Sequence, residues 1–118
     1  MAYLGNRNAT GENNSFKILD DLAFTSTFDG SSTAVVDISA DTITINNHRF
    51  LTGSRLTYSN GGGGNITGLT NGTVYFAIKV DHNTIQLAAN ASDANAGNKI
   101  NITGRGTGVA HTLSVAFD

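Results

Sequence analysis

Three histidines, His48, His82 and His111, are the residues of this 118-residue chain best suited to bind a metal ion. Imidazole is a common zinc ligand, but no pair of the three has the short spacing that is common in zinc sites, and cysteine is absent. His82 falls in a predicted hairpin loop, whereas His111 shares a predicted inward face with Val109 and Leu113. We therefore expect His111 to be a hydrogen-bonded core residue, and we predict no metal site and no cofactor.

The acidic residues are the second candidates for chemistry, as general acids, nucleophiles or calcium ligands. They are Glu12, Asp20, Asp21, Asp29, Asp37, Asp41, Asp81, Asp93 and Asp118. Glycoside hydrolysis needs two facing carboxylates, and a calcium loop needs regularly repeated Asp residues. Most of these residues stand instead at predicted strand ends or turns, where Asp bonds to the backbone, and Asp37 is predicted to point outward. The serines also lack a Gly-x-Ser-x-Gly elbow, so we predict no catalytic residue and no enzyme.

Two glycine-rich stretches resemble nucleotide-binding loops only superficially. The run 60–65 lacks the Lys-Ser/Thr pair and the following helix of a phosphate-binding loop, so it is predicted to be a flexible loop tip. The run 104–108 lies between two predicted strands, whereas a dinucleotide fingerprint opens a helix. It is predicted to be a bulged turn or strand connection.

The elements around these residues have a period of two, which is typical of half-buried strands. In the clearest strand, residues 73–80, one face carries Val74, Phe76, Ile78 and Val80, and the other carries Thr73, Tyr75, Ala77 and Lys79. We take Tyr75 to be on the outward face. The last strand is predicted to place Val109, His111, Leu113, Val115 and Phe117 on one face.

Turn-forming residues separate the strands. Asp29-Gly30 and Asn71-Gly72 indicate tight turns, and Asp81-His82-Asn83 has the length of a hairpin loop. Only residues 88–96, which are rich in alanine, could form a short helical turn. The sequence therefore predicts an all-β fold, a small antiparallel sandwich or barrel of about nine short strands.

The predicted organisation is an extended N-terminal arm, residues 1–15, followed by a single all-β domain, residues 16–118. The arm has no apolar periodicity, and it is either disordered or becomes ordered on a partner. It contains no apolar run long enough for a signal peptide, and we expect no membrane contact.

The composition argues against nucleic acid as a partner. Charged residues make up only 14% of the chain, against roughly 25% in an average domain. The net charge is −2, and the seven Lys and Arg residues are scattered. Binding to a phosphate backbone requires clustered cations, so no nucleic-acid binding is predicted.

Three stretches of the chain resemble a β-module that recurs in bacteriophage tail-fibre and other virion proteins. They are His48–Tyr58 (HRFLTGSRLTY), Ile66–Phe76 (ITGLTNGTVYF) and Asp81–Ala88 (DHNTIQLA). The opening, Ala2–Arg7 (AYLGNR) and Asn14–Asp21 (NSFKILDD), is similar to the N-termini of fibre-like proteins of marine podoviruses, including those that infect cyanobacteria. Similar repeats also occur in large bacterial surface proteins.

The resemblance implies a virion part that docks to other virion proteins through its N-terminal arm and is often trimeric; it brings no catalytic residues. We expect the particle-attaching N-terminal module of a tail fibre, located in the virion and involved in host adsorption. Fibres continue well beyond such a module, so the chain is expected to be either part of a longer fibre or a small decoration or adaptor protein. One alternative is a capsid decoration, cement or tail adaptor protein. Another is a carbohydrate-binding or adhesin module, for which Tyr75 and Tyr3 are the candidate stacking aromatics.

Overall fold

The computed structural model describes residues 25–116, which fold into one antiparallel sheet with one short helix. The strands are β1 (Thr25–Phe28), β2 (Val36–Asp37), β3 (Thr42–Thr44), β4 (Arg55–Ser59), β5 (Val74–Asp81), β6 (Thr84–Ala88) and β7 (His111–Val115). Their order in the sheet is β1-β7-β4-β5-β6-β3-β2. The all-β prediction is confirmed, whereas the predicted arm, residues 1–15, lies outside the described residues.

Seven strands are present within residues 25–116, and the predicted strand around Ile100 and Ile102 is not among them. This segment makes single bonds rather than a ladder: the Ile100 N–H donates to the Leu87 carbonyl, and the Ile102 N–H donates to the Asp41 carboxylate. Both apolar side chains still pack on the core. The alternation therefore indicated burial correctly but not a strand.

The predicted turns are present at the expected places. Asp81-His82-Asn83 closes the β5–β6 hairpin, and Val80 is the extra residue of a bulge between the Lys79–Ile85 and Asp81–Thr84 pairs. The predicted helical turn is helix α1, Ala91–Ala96. Asn90 caps its start by accepting from the Asp93 N–H, and Gly97 ends it with a φ of 79°.

The orientation of β5 is opposite to the prediction. Tyr75 and Ala77 are buried and pair with Leu56 and Leu87, whereas Val80 is 52% exposed. Both faces of this strand carry apolar side chains, so the period of two was correct but could not choose the inward face. The predicted outward position of Tyr75 is therefore wrong.

The predicted inward face of the last strand is correct within β7 but not for the residue predicted before it. His111 and Leu113 are fully buried, as predicted, but Val109 is 69% exposed. Val109 precedes β7, whose ladder begins with the pairing of His111 and Phe28, so the alternation does not extend to it. Its predicted inward position is wrong.

The core lies on one face of the sheet and is completed by side chains from the connecting segments. The sheet contributes Val36, Ile43, Leu56, Tyr58, Tyr75, Ala77, Ile85, Leu87 and Leu113, among others. The connecting segments contribute Ile45, Phe50, Ile66, Leu69 and Ile102. Burial of this apolar area is the main source of stability, and it brings His48 and His111 into the interior with it.

Candidate functional site

His111 lies at the centre of a buried hydrogen-bond network. Its Nε2 is 2.8 Å from the Thr107 carbonyl oxygen, and its Nδ1 is 2.7 Å from the Tyr58 hydroxyl. The Tyr58 hydroxyl accepts from the Ile66 N–H at 3.0 Å. A neutral imidazole with its proton on Nε2 satisfies every member, because Tyr58 can then donate to Nδ1. Burial raises the pKa of Tyr58, which keeps its hydroxyl proton available for this bond.

Two glycines make room for the His111 ring. A Cβ on Gly30 would lie 2.5 Å from the ring atoms Cε1 and Nε2, and one on Gly106 would lie 2.8 Å from Cε1. The rings of Phe28 and Tyr58 lie with their centroids 5.7 Å from that of His111. The network is therefore enclosed on all these sides and stabilises the core; a ligand would find no open approach between these groups.

His48 is also fully buried, and it ties a loop to the β5–β6 hairpin. Its Nδ1 accepts from the Phe50 N–H at 2.9 Å, so the ring proton is on Nε2, which donates to the Asp81 carbonyl at 2.7 Å. The His48 N–H donates to the His82 carbonyl at 3.1 Å. These bonds fix the path of residues 48–50 against the hairpin.

The two residues beside His48 have strained backbones. Asn47 has a φ of 54° and Arg49 a φ of 64°, in the left-handed region. Asn tolerates this conformation better than most residues, but Arg does not, and each such residue costs on the order of 1–3 kcal/mol. The Asn47 N–H donates to the Asn83 side chain at 2.8 Å. This bond on one side of His48, and the Phe50–His48 bond on the other, keep the strained residues in this conformation.

A cleft of about 170 Å³ opens between this loop and the hairpin. Its lining comprises residues 47–51 with Lys79 and His82. Arg49, Lys79 and His82 are exposed, and Leu51 is 64% exposed. The floor is provided by His48 and Phe50, whose rings stack with a centroid distance of 5.7 Å.

The aspartates of the described region accept hydrogen bonds from N–H groups, and Asp29, Asp37 and Asp81 accept them from the backbone of their own turns, as the sequence predicted. Asp29 accepts from Ser31, Asp37 from Ser39 and Ala40, Asp41 from Ile102, Asp81 from Asn83, and Asp93 from Asn90. The hydrogen bond from the Ser31 hydroxyl lowers the pKa of Asp29, and the Asn83 N–H lowers the pKa of Asp81. Asp37 is exposed, as predicted.

The glycine runs pack against each other. Gly64 and Thr107 form an isolated bridge, and Thr67 and Gly104 form another. The Gly106 N–H donates to the Gly30 carbonyl at 3.0 Å. The run 104–108 lies in the segment between α1 and β7 and does not connect two strands, because the strand predicted before it is absent from the described residues. The run 60–65 is a docked loop and not a free tip. Gly63 shows why: a Cβ there would clash with the Thr107 carbonyl, so only glycine allows this approach.

The structure does not bring the three histidines together. His48 lies at the floor of the cleft and His82 lines it from the hairpin, whereas His111 belongs to the other network. Within residues 25–116, no group of three or more histidine or acidic side chains could hold a metal ion. In the same part of the chain, no helix is long and apolar enough to cross a membrane.

The cleft was missed by sequence reasoning because its walls are distant in sequence and adjacent only through the hairpin. The signal in the sequence was limited to Arg49, which follows His48, and Lys79, which lies two residues before the Asp81-His82-Asn83 turn. A comparison with known proteins finds no matching family model, no matching curated protein and no matching solved structure.

Proposed function

We propose that the chain is a structural protein of a bacteriophage particle, the particle-attaching N-terminal module of a tail fibre that serves host adsorption. The structural role is supported by the way in which the buried polar side chains are used. His48, His111, Tyr58 and Asp41 all bond to the protein's own backbone, and thereby hold connecting segments onto the sheet. Satisfied buried networks of this kind make a fold rigid, which suits a spacer.

The assignment to a phage particle is supported by the sequence resemblance. The stretches His48–Tyr58, Ile66–Phe76 and Asp81–Ala88 contain most of β4, the two ends of β5 and all of β6, which are neighbours in the sheet. The resemblance thus falls on one side of the fold, in adjacent strands. The N-terminal arm is proposed as the docking element, with a homo-oligomer, a trimer in particular, as the assembled state.

Labelling of intact particles tests this proposal. Antibodies raised against the full chain and marked with gold should bind at the tail in electron micrographs, while pre-immune antibodies should not. Labels spread over the head would favour the alternative, a capsid decoration protein. Purified particles that carry no label and no peptide of this chain by mass spectrometry would contradict both.

The oligomeric state is a separate measurement on the purified full chain. Native mass spectrometry should give three times the 12.3 kDa of a single chain. A mass of 12.3 kDa at micromolar concentration would contradict the proposed trimer while leaving the labelling result intact.

A further inference from the structure

Two asparagines of the chain, Asn60 and Asn71, are followed directly by glycine. Asn60 follows β4, and Asn71 lies in the turn before β5. An asparagine before glycine can lose its side-chain amide spontaneously, because glycine has no Cβ to hinder attack by its own nitrogen. The two pairs are joined, since the Asn60 N–H donates to the Asn71 Oδ1 at 2.9 Å. They present the same chemistry in two different hydrogen-bond environments.

We propose that Asn60 is a deamidation site of the folded protein, whereas Asn71 is protected. In the reaction, a solvent base removes the Gly61 N–H proton, and the nitrogen attacks the Asn60 Cγ. The new C–N bond closes a succinimide ring as the bond from Cγ to Nδ2 breaks, and the amide nitrogen takes a proton from solvent and leaves as ammonia. Water then adds to one of the two ring carbonyls, which gives either aspartate or isoaspartate at position 60.

The nitrogens of the two glycines differ in how firmly their protons are held. The Gly72 N–H donates to the Tyr58 carbonyl at 2.7 Å, a short bond between two backbone groups. The Gly61 N–H donates to the Ser59 hydroxyl at 3.2 Å, in an exposed position where water can replace the hydroxyl. Loss of the proton is therefore opposed more strongly at Gly72 than at Gly61.

The Asn60 side chain is held beside its nucleophile. Its Oδ1 accepts from the Gly62 N–H at 3.0 Å, and the ring that this bond closes contains the Gly61 nitrogen. The same N–H stabilises the negative charge that develops on Oδ1 during the attack. The Asn60 Nδ2 donates to the Asn65 Oδ1 at 2.8 Å, which fixes the rotamer. The turn thus keeps the reacting groups of Asn60 and Gly61 together.

The isoaspartate product does not fit the packing of the loop 60–65. It carries the chain through Cγ and so lengthens the backbone by one carbon between Asn60 and Gly61. Gly61 already lies so close to Ala110 that even a Cβ would overlap the Ala110 carbonyl oxygen. Deamidation therefore releases the loop from Ala110 and from the run 104–108, and it makes the chain one charge more negative than its net −2.

Incubation of the purified full chain at neutral pH tests the proposal, with the products located by peptide mass spectrometry. In the folded protein, deamidation should be about tenfold faster at Asn60 than at Asn71, the effect of roughly one backbone hydrogen bond. In urea the two rates should become similar, because unfolding removes both sets of bonds.

The incubated protein also reports on the loop. Isoaspartyl methyltransferase should label position 60. Amide hydrogen exchange should speed up at Gly64, whose N–H donates to the Thr107 carbonyl at 3.1 Å in the docked loop.

Matched variants separate the two sites. Asn71→Asp keeps an oxygen acceptor for the Asn60 N–H and cannot deamidate at position 71, so the folded variant should still be modified at Asn60 at the wild-type rate. Asn60→Asp lacks the reactive amide, and its modification at the two Asn-Gly pairs should fall to about a tenth of the wild-type value.

Two results would overturn the proposed site. They are deamidation at Asn71 that is as fast as at Asn60 in the folded protein, and an unmodified Asn60 after the time in which the chain in urea has reacted completely. Unchanged exchange at Gly64 in the modified protein would overturn the release of the loop. Because each readout is chemistry of this chain alone, such a failure would leave the proposed role in a particle unaffected.

Discussion

The surroundings of His48 and His111 show two uses of a buried imidazole in the same small fold. Both rings are fully buried, both donate from Nε2 to a backbone carbonyl, and both accept a hydrogen bond at Nδ1. The His111 ring is enclosed by Gly30, Gly106 and aromatic rings. The His48 ring forms the floor of a cleft whose rim is basic.

Backbone strain is also found beside His48 and not beside His111. Of the three non-glycine residues with positive φ that the described region contains, Asn47 and Arg49 flank His48, and the third, Asp41, is in neither network. The residues bonded to His111 have no such strain. The His111 network therefore stabilises the fold. The hydrogen bonds of His48 instead hold the exposed Arg49 in a strained backbone conformation, at a cost in stability.

The largest expected effect is on the enclosed network. Gly30→Ala should lower the free energy of unfolding by about 3 kcal/mol, because its Cβ would overlap the His111 ring and the ring is fixed by its bonds at both nitrogens. Urea denaturation monitored by tyrosine fluorescence or circular dichroism gives the value.

Gly62→Ala is the matched control for this substitution. Gly62 has a φ of 90° with open space around the position of a Cβ, so the substitution introduces backbone strain without overlap and should cost only about 1 kcal/mol. Equal losses in the two variants would show that the ring of His111 moves freely, and the two networks would then no longer differ in rigidity.

The second prediction removes one atom from the His111 network. Tyr58→Phe leaves the Ile66 N–H and the His111 Nδ1 without their partner and should cost about 2 kcal/mol. Tyr75→Phe is the control: its hydroxyl accepts only from the N–H of Thr70, which is exposed and can bond to water instead, so the loss should be below about 1 kcal/mol. If Tyr75→Phe lost more unfolding free energy than Tyr58→Phe, the hydroxyl bonded to His111 would not be the more important of the two.

The raised pKa of Tyr58 gives the same substitution a second readout. A folded-state pKa above the usual value of 10.0 contributes stability that is present below pH 10.0 and lost as pH rises through the folded pKa. Wild-type stability should therefore fall on this alkaline limb more steeply than that of Tyr58→Phe. Parallel curves for the two proteins would contradict the burial of this hydroxyl.

The all-β fold, the turns and the burial of His111 could be predicted because each depends on local sequence. A period of two indicates half-buried strands, although the short alternation at Ile100 and Ile102 marked only burial, and Asn-Gly or Asp-Gly pairs indicate the turns. The inward face of β5 could not be predicted, since Val74 and Phe76 compete with Tyr75 and Ala77. Only the pairing with Leu56 and Leu87 decides the orientation, and that pairing is a tertiary property.

The candidate site shows the same division. His111 was placed correctly because it alternates with Leu113 within one strand. The cleft at His48 depends on contacts across 33 residues, between the His48 ring and the Asp81 carbonyl, and on positive φ at Arg49. Neither feature can be read from the local sequence. The contact joins distant residues, and arginine is not a residue that favours the left-handed conformation.

The third prediction measures the strain at the cleft. Arg49→Asn should be more stable than Arg49→Ala by about 1 kcal/mol, because both remove the cation but only Asn tolerates the left-handed backbone. The comparison of the two variants cancels the contacts of the arginine side chain. Equal stabilities in thermal or urea unfolding would mean that the loop relaxes, and the contrast with the rigid His111 network would then lie in mobility and not in strain.

The smallest expected effect is a pH dependence that the two regions share. Asp29 precedes Gly30 beside His111, and Asp81 provides the carbonyl that His48 bonds; hydrogen bonds from Ser31 and Asn83, respectively, lower the pKa of each carboxyl below 3.8. A lowered folded-state pKa contributes stability that is present above pH 3.8 and lost as pH falls through the folded pKa. Both carboxylates are solvent-exposed, so the loss should be slight, and Asp29→Asn and Asp81→Asn should each flatten the acid limb.

Carboxyl NMR titration measures both groups directly, and amide hydrogen exchange at Ile66 and Phe50 in mild acid shows which network opens first. Because the His48 loop already carries strain that the His111 network lacks, Phe50 should lose protection before Ile66; the reverse order would contradict the division of the molecule into a stabilising and a strained network.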